Sequence, residues 1–206
     1  RLREICDKYG ILLIFDEVIT GWGRTGESFA AQSFDVTPDI ITMAKGITNG
    51  VMPLGAVASR EKIYDTILDA SPTGAVEFFH GYTYSAIPAS IAAGLAMQNI
   101  IEKENLFQRS KDMSPYFLDG LFSLKDIDII TDIRGYGMLG GIDIRFDERP
   151  GKAGYTCFKK LFEAGLSLKA TGDCLIVAPP FICEKNHIDE IIEKLRNGIT
   201  NYQKSL

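Results

Sequence analysis

The segment that most constrains this chain is a run of five apolar residues, Ile11-Leu12-Leu13-Ile14-Phe15, which follows a glycine and stops at Asp16-Glu17. A short unbroken apolar run with such boundaries reads as a strand buried on both faces, and strands of that kind belong to parallel sheets covered by helices. A second run at 39–44 (DIITMA) ends at Lys45-Gly46, and a third strand is expected at 54–59, followed by a helix over 60–68. The first half of the chain therefore reads as βαβ-like, with parallel strands.

The opening segment Arg1-Leu2-Arg3-Glu4-Ile5-Cys6-Asp7-Lys8-Tyr9 has the spacing of an amphipathic helix, closed by Gly10 as a helix C-terminal glycine closes one. It lacks a start signal, so the chain is expected to begin inside a domain. Residues 71–85 read as a loop, Pro88 suits a helix start, and 90–104 and 111–124 read as helices. Two β-like runs within 127–146 surround Arg134-Gly135-Tyr136-Gly137 and predict a hairpin. A helix over 152–164, strands at 166–169 and 174–178 around Thr171-Gly172-Asp173, and a closing amphipathic helix over 184–204 complete the pattern. A boundary near 106 divides an α/β part, 1–106, from an α+β part, 107–206, with no Pro/Gly-rich linker between them.

Composition limits the partners. Apolar residues make up 46% and charged residues 24%, an ordinary globular balance for 206 residues. A net charge of -5 argues against nucleic acid or anionic membranes as the main partner. The four cysteines form no C-x-x-C pair and only two histidines, His80 and His187, are present, so a metal site is poorly supported. A reducing, cytoplasmic setting is the simplest expectation, with no run resembling a membrane span.

Three motifs could carry chemistry. Asp16-Glu17 stands at the carboxyl end of a predicted strand, where open α/β sheets bind ligands. An acid there meets a cationic nitrogen or a metal; the same string also looks like a Walker B segment, although no G-x-x-x-x-G-K-[ST] loop is present. Gly21-Trp22-Gly23-Arg24-Thr25-Gly26 satisfies G-x-G-x-x-G, but Asp16 to Thr20 separate it from the strand and no acid ends the next strand, so it reads as a glycine turn packed near the site and not as a dinucleotide fingerprint. Lys45 leaves an apolar strand, where loss of hydration makes an amine nucleophilic. With Asp16 and Lys45 at the carboxyl ends of parallel strands in one sheet, a single crevice receives both. An acid for a pyridinium nitrogen and a lysine for an aldehyde are the two groups that pyridoxal 5'-phosphate requires.

On these residues the sequence resembles the class III (ω-) aminotransferases, a branch of the fold-type I pyridoxal phosphate enzymes. The matching strings are Phe15-Asp16-Glu17-Val18-Ile19-Thr20 with the glycine loop, Pro38-Asp39-Ile40-Ile41-Thr42-Met43-Ala44-Lys45-Gly46, Pro53-Leu54-Gly55-Ala56-Val57, Phe79-His80-Gly81-Tyr82-Thr83-Tyr84-Ser85 and Arg134-Gly135-Tyr136-Gly137-Met138. The resemblance implies that 1–106 is the C-terminal part of a large cofactor domain built on a mainly parallel sheet, and that 107–206 is the C-terminal small domain. It implies that Asp16 bonds the pyridinium nitrogen, Val18 stacks on one ring face, and Lys45 links to the cofactor aldehyde and carries the proton. It implies that Thr83 binds the cofactor phosphate of a neighbouring subunit, with Tyr82 near that subunit's substrate pocket, in a homodimer or a dimer of dimers. The family chain is substantially longer on its N-terminal side. Ile19 stands where the ornithine, acetylornithine and GABA branches usually carry Gln, which places the match nearer the amine–pyruvate and β-alanine–pyruvate type. Lys169 aligns where that type usually has an arginine for the substrate carboxylate; a lysine pairs with a carboxylate as a point charge and not as a bidentate fork.

The expected activity is transfer of an amino group from an amine or ω-amino acid to a keto acid such as pyruvate. The alternatives are an aminomutase of the same family, or a P-loop ATPase fragment using Asp16-Glu17 as Walker B.

Overall fold

The structure is a computed structural model that describes residues 1–75, 80–145 and 149–206. Phe79 of the fourth matching string and Phe146, the end of the second expected β-run, lie outside the described residues. The chain divides into two compact units, Arg1–Asn105 and Leu106–Leu206.

The first unit opens with helix α1, Leu2–Tyr9. Gly10 ends it in the left-handed region (φ 65°), where its amide reaches the Cys6 carbonyl. Strand β1 is Ile14–Asp16, β2 is Ile40–Met43 and β3 is Ala56–Ser59, in the order β1-β2-β3. Strands β1 and β2 are parallel, with Ile14 opposite Ile40 and Asp16 opposite Thr42. Here the expectation of parallel strands is corrected for β3, which runs antiparallel to β2. The burial expected of the first run is corrected too: Ile11, Leu12 and Ile14 are 53%, 56% and 55% exposed, so the strand is not covered on both faces in this unit. A four-residue helix α2, Ala30–Ser33, stands between β1 and β2. Helix α3, Glu61–Ala70, and helix α4, Pro88–Lys103, follow β3. Pro88 opens α4, where its missing amide proton costs nothing.

The second unit holds most of the hydrophobic core. Helix α5 spans Leu106–Phe122 and runs into a 3-10 turn at Ser123–Asp126. Strands β4 (Ile130–Tyr136) and β5 (Leu139–Ile144) form the expected hairpin, closed by Gly137 at φ 61° and Met138. A two-residue hairpin loop of this kind needs the positive φ that glycine adopts without strain. Helix α6 is Lys152–Glu163, β6 is Lys169–Thr171, β7 is Cys174–Val177 and α7 is Lys185–Gln203. The four strands form an antiparallel sheet in the order β4-β5-β7-β6. Phe117 and Leu121 of α5, Ile142 of β5, Leu161 of α6, Leu175 of β7 and Leu195 of α7 are fully buried together. No helix among the described residues is long and apolar enough to cross a membrane.

Candidate active site at the carboxyl ends of β1 and β2

Asp16 is the last residue of β1, and its neighbour across the sheet is Thr42 of the parallel strand β2. The pairing continues one step further, where the Glu17 amide donates to the Thr42 carbonyl at 2.9 Å. Lys45 follows two residues after β2 ends, as the first residue of a 3-10 turn, Lys45–Ile47. Parallel strands end on the same side of a sheet, so Asp16 and Lys45 share one strand-end edge.

The Asp16 side chain is exposed, and its Oδ1 accepts the Val18 amide at 3.1 Å. That bond sets the carboxylate in a turn and leaves its second oxygen for a donor. Lys45 is also exposed; its carbonyl accepts the Thr48 amide at 3.3 Å, and its side chain has no hydrogen-bond or ion-pair partner among the described residues. The dehydration expected of an amine leaving a buried strand is therefore not supplied by this chain, because the lysine stands on a turn beyond the strand. Lys45 instead has φ 47°, in the left-handed region that a side chain enters at a cost of about 1–2 kcal/mol. Strained backbone of this kind concentrates where function over-determines the geometry. A carboxyl oxygen and a primary amine with no side-chain partner among the described residues, at or just beyond adjacent strand ends and with half-buried Val18 between them in sequence, suit a pyridinium aldehyde. Among the described residues no cluster of histidine, cysteine and acidic side chains could hold a metal ion.

Three residues around this edge take structural roles that the sequence motifs did not give them. Glu17 is only 1% exposed. Its Oε2 accepts the Ala30 amide at 2.7 Å and the Thr20 hydroxyl at 3.0 Å, and its Oε1 accepts the Ala31 amide at 2.8 Å. The second acid of the pair is thus consumed by its own chain. Trp22 sits at φ 63° in the glycine loop, with its ring edge-on to Phe29 at 5.5 Å. Gly46 lies against it: a Cβ on Gly46 would come within 2.5 Å of Trp22 Cβ. The loop is therefore a packing element and not the start of a helix, as its distance from the strand predicted. The one available signal for Glu17 was an acid followed at once by β-branched residues and a glycine loop.

The other predicted residues lie elsewhere. Tyr82 is 76% exposed, with its ring edge-on to His80 at 5.5 Å and its amide bonded to Ser85 Oγ at 3.0 Å. Thr83 is exposed on the same turn, and neither residue is hydrogen-bonded to Asp16, Val18 or Lys45. Lys169 belongs to the second unit, where it begins edge strand β6 opposite Ile176 and is exposed. The turn after its strand is clamped, because Asp173 accepts the Gly151 amide at 2.7 Å and the Gly154 amide at 3.1 Å at the start of α6.

The family described as Aminotransferase class-III matches residues 1–199, and the chain belongs to it. The omega-aminotransferase of Caulobacter vibrioides is 47% identical over 199 residues, covering 95% of this chain and 45% of that protein. The beta-alanine–pyruvate aminotransferase of Pseudomonas aeruginosa is 44% identical over 201 residues, covering 97% of this chain and 45% of that protein. Among solved structures, a transaminase from the marine bacterium Virgibacillus superposes with a TM-score of 0.89 at 32% identity, over 99% of this chain and 48% of that one. The chain thus spans about 45% of the length of these curated relatives. The likeness supports an α/β fold of mixed sheets and helices, and it does not identify the second unit with the family's C-terminal small domain, as the sequence reading had it. Family membership replaces the ATPase alternative.

Proposed function

We propose that this chain supplies the acid and the lysine of a pyridoxal 5'-phosphate site in an aminotransferase that moves an amino group from an amine or ω-amino acid to a keto acid such as pyruvate. The single observation that carries the reading is the placement of Asp16 and Lys45 at adjacent parallel strand ends, in a chain of the class III family. The direction of transfer and the substrate class rest on relatives named for omega-amino acids, beta-alanine and pyruvate.

When bound, the cofactor supplies an electrophilic aldehyde and a ring that accepts electrons from the carbon bearing the amino group. Asp16 would hold the proton on the ring nitrogen, because a carboxylate beside a pyridinium favours its charged form. The Val18 amide, bonded to that carboxyl group, would help orient it, and the Val18 side chain would cover one ring face. Lys45 Nζ would hold the cofactor until substrate arrives. Once displaced, it would take the proton from the substrate carbon as a base and deliver it as an acid. Thr83 would donate its hydroxyl to the phosphate bound by a second copy of the chain, with Tyr82 beside that copy's substrate, in a homodimer. Lys169 would meet a substrate carboxylate as a point charge.

The test is borohydride reduction of the full protein loaded with pyridoxal phosphate, followed by peptide mass spectrometry. A pyridoxyl adduct is expected on Lys45. A folded protein with no adduct there sinks the reading.

A further inference from the structure

We infer that Glu17 and the loop 21–26 form a positioning brace that fixes Asp16 and Lys45 relative to each other. This rests on the cofactor reading above and goes beyond it, since that reading gives neither Glu17 nor the loop a role.

Glu17 and Gly46 each follow a site residue directly in the chain, Asp16 in one case and Lys45 in the other. Glu17 is fixed by three donors: the Ala30 and Ala31 amides at 2.7 and 2.8 Å and the Thr20 hydroxyl at 3.0 Å. Gly46 is fixed by contact with Trp22, whose Cβ leaves no room for another. The two anchors belong to one continuous segment. Gly21 packs on the Phe29 ring, a Cβ there coming within 3.2 Å of it, and Phe29 meets the Trp22 ring. The Gly21 amide bonds to the Glu17 carbonyl at 3.0 Å, and the Trp22 amide to the Ser28 carbonyl at 2.6 Å. A buried carboxyl group held by three donors is costly to disturb. A ligand that bridges an acid and a lysine needs both at a set separation, and the strands alone do not provide it, because Lys45 stands on a turn beyond β2.

The test uses the holoenzyme, with Glu17→Gln, Glu17→Asp and Gly46→Ala beside the parent. Glutamine keeps the volume but turns an NH2 toward one of the amide or hydroxyl donors. Alanine at 46 pushes on Trp22 from the opposite side, and it carries the test if the Glu17 variants do not fold. Three quantities are read: the pH midpoint of the lysine-linked cofactor absorbance, the cofactor dissociation rate, and kcat against KM. A misplaced bridging pair shifts the midpoint, speeds cofactor loss, and lowers kcat by on the order of 100-fold with a smaller change in KM. Glu17→Asp should fall between Glu17→Gln and the parent. If the folded variants lose only thermal stability and keep the parent's midpoint, dissociation rate and kcat, the brace is purely structural and the inference is overturned. If the parent itself gives no adduct on Lys45, the cofactor reading beneath it fails, and that outcome is separate from unaltered variants of an adduct-forming parent.

Discussion

At the residue scale the site depends on what the chain does with its charges. Asp16 and Glu17 are adjacent acids with opposite fates. Asp16 is exposed with one oxygen engaged, while Glu17 is buried and fully used. Nothing in the dipeptide distinguishes them; the donors that Thr20, Ala30 and Ala31 bring to Glu17 do. Asp16→Asn retains a carbonyl for the Val18 amide and loses the charge. Its expected effect is a fall in turnover on the order of 100-fold with a shifted cofactor spectrum, measured by steady-state kinetics and absorbance. Full activity of this variant would remove the pyridinium role. Lys169→Ala should slow amino-acid donors more than plain amines, and a donor ratio equal to the parent's would remove Lys169 from carboxylate recognition. Burial pushes the Cys157 thiol up to about 12, and burial first, then Asp143, pushes the Cys174 thiol up to about 11.

At the element scale, two short connections do the positioning. The loop after β1 is pressed between Glu17 and Gly46, and the turn after β6 is clamped onto α6. In the second, a Cβ on Gly154 would lie 2.4 Å from the Gly172 carbonyl oxygen and 2.7 Å from Asp173 Cα. Those are backbone atoms, which cannot swing aside as a side-chain tip can. Gly154→Ala should therefore destabilise the second unit by about 1–3 kcal/mol. Asp173→Ala, which removes two acceptors from the start of α6, should cost about 1 kcal/mol. Urea unfolding measures both, and equal midpoints for Gly154→Ala and the parent would show that the turn yields. Most elements were legible from periodicity, including the hairpin at Gly137 and the helix opened by Pro88. The direction of β3 was not, because its short apolar run has the same composition whether paired parallel or antiparallel.

At the scale of the whole molecule, the two units differ in how they are held. The second has a closed core beneath its four-stranded sheet, whereas apolar residues of β1 and β3 such as Ile14 and Val57 remain 55% and 69% exposed. Ion pairing helps fix the first. Asp39, at the head of β2, accepts the Leu13 amide and Arg3 Nη1, each at 2.7 Å, and lies 3.4 Å from Arg60. The Leu13 amide first, and then Arg3, hold its carboxyl below the usual range. A carboxyl with a lowered folded value contributes stability that is fully present above its unfolded value of about 3.9 and is lost as pH falls through the folded one. The gap between the parent and Asp39→Asn should thus be largest near neutrality and close below about pH 4, as urea midpoints against pH would show. A gap unchanged down to pH 3 would refute this role for Asp39. The sequence by itself determined the two-part organisation, most helices and strands, and the positions of Asp16 and Lys45 at or just beyond two strand ends, because apolar period and strand-end chemistry are local. Only the tertiary structure decided that Lys45 stands on a strained turn, that Glu17 is buried, and that Trp22 meets Gly46. Those outcomes depend on which distant backbone donors and side chains arrive at the same place, and no local pattern records that.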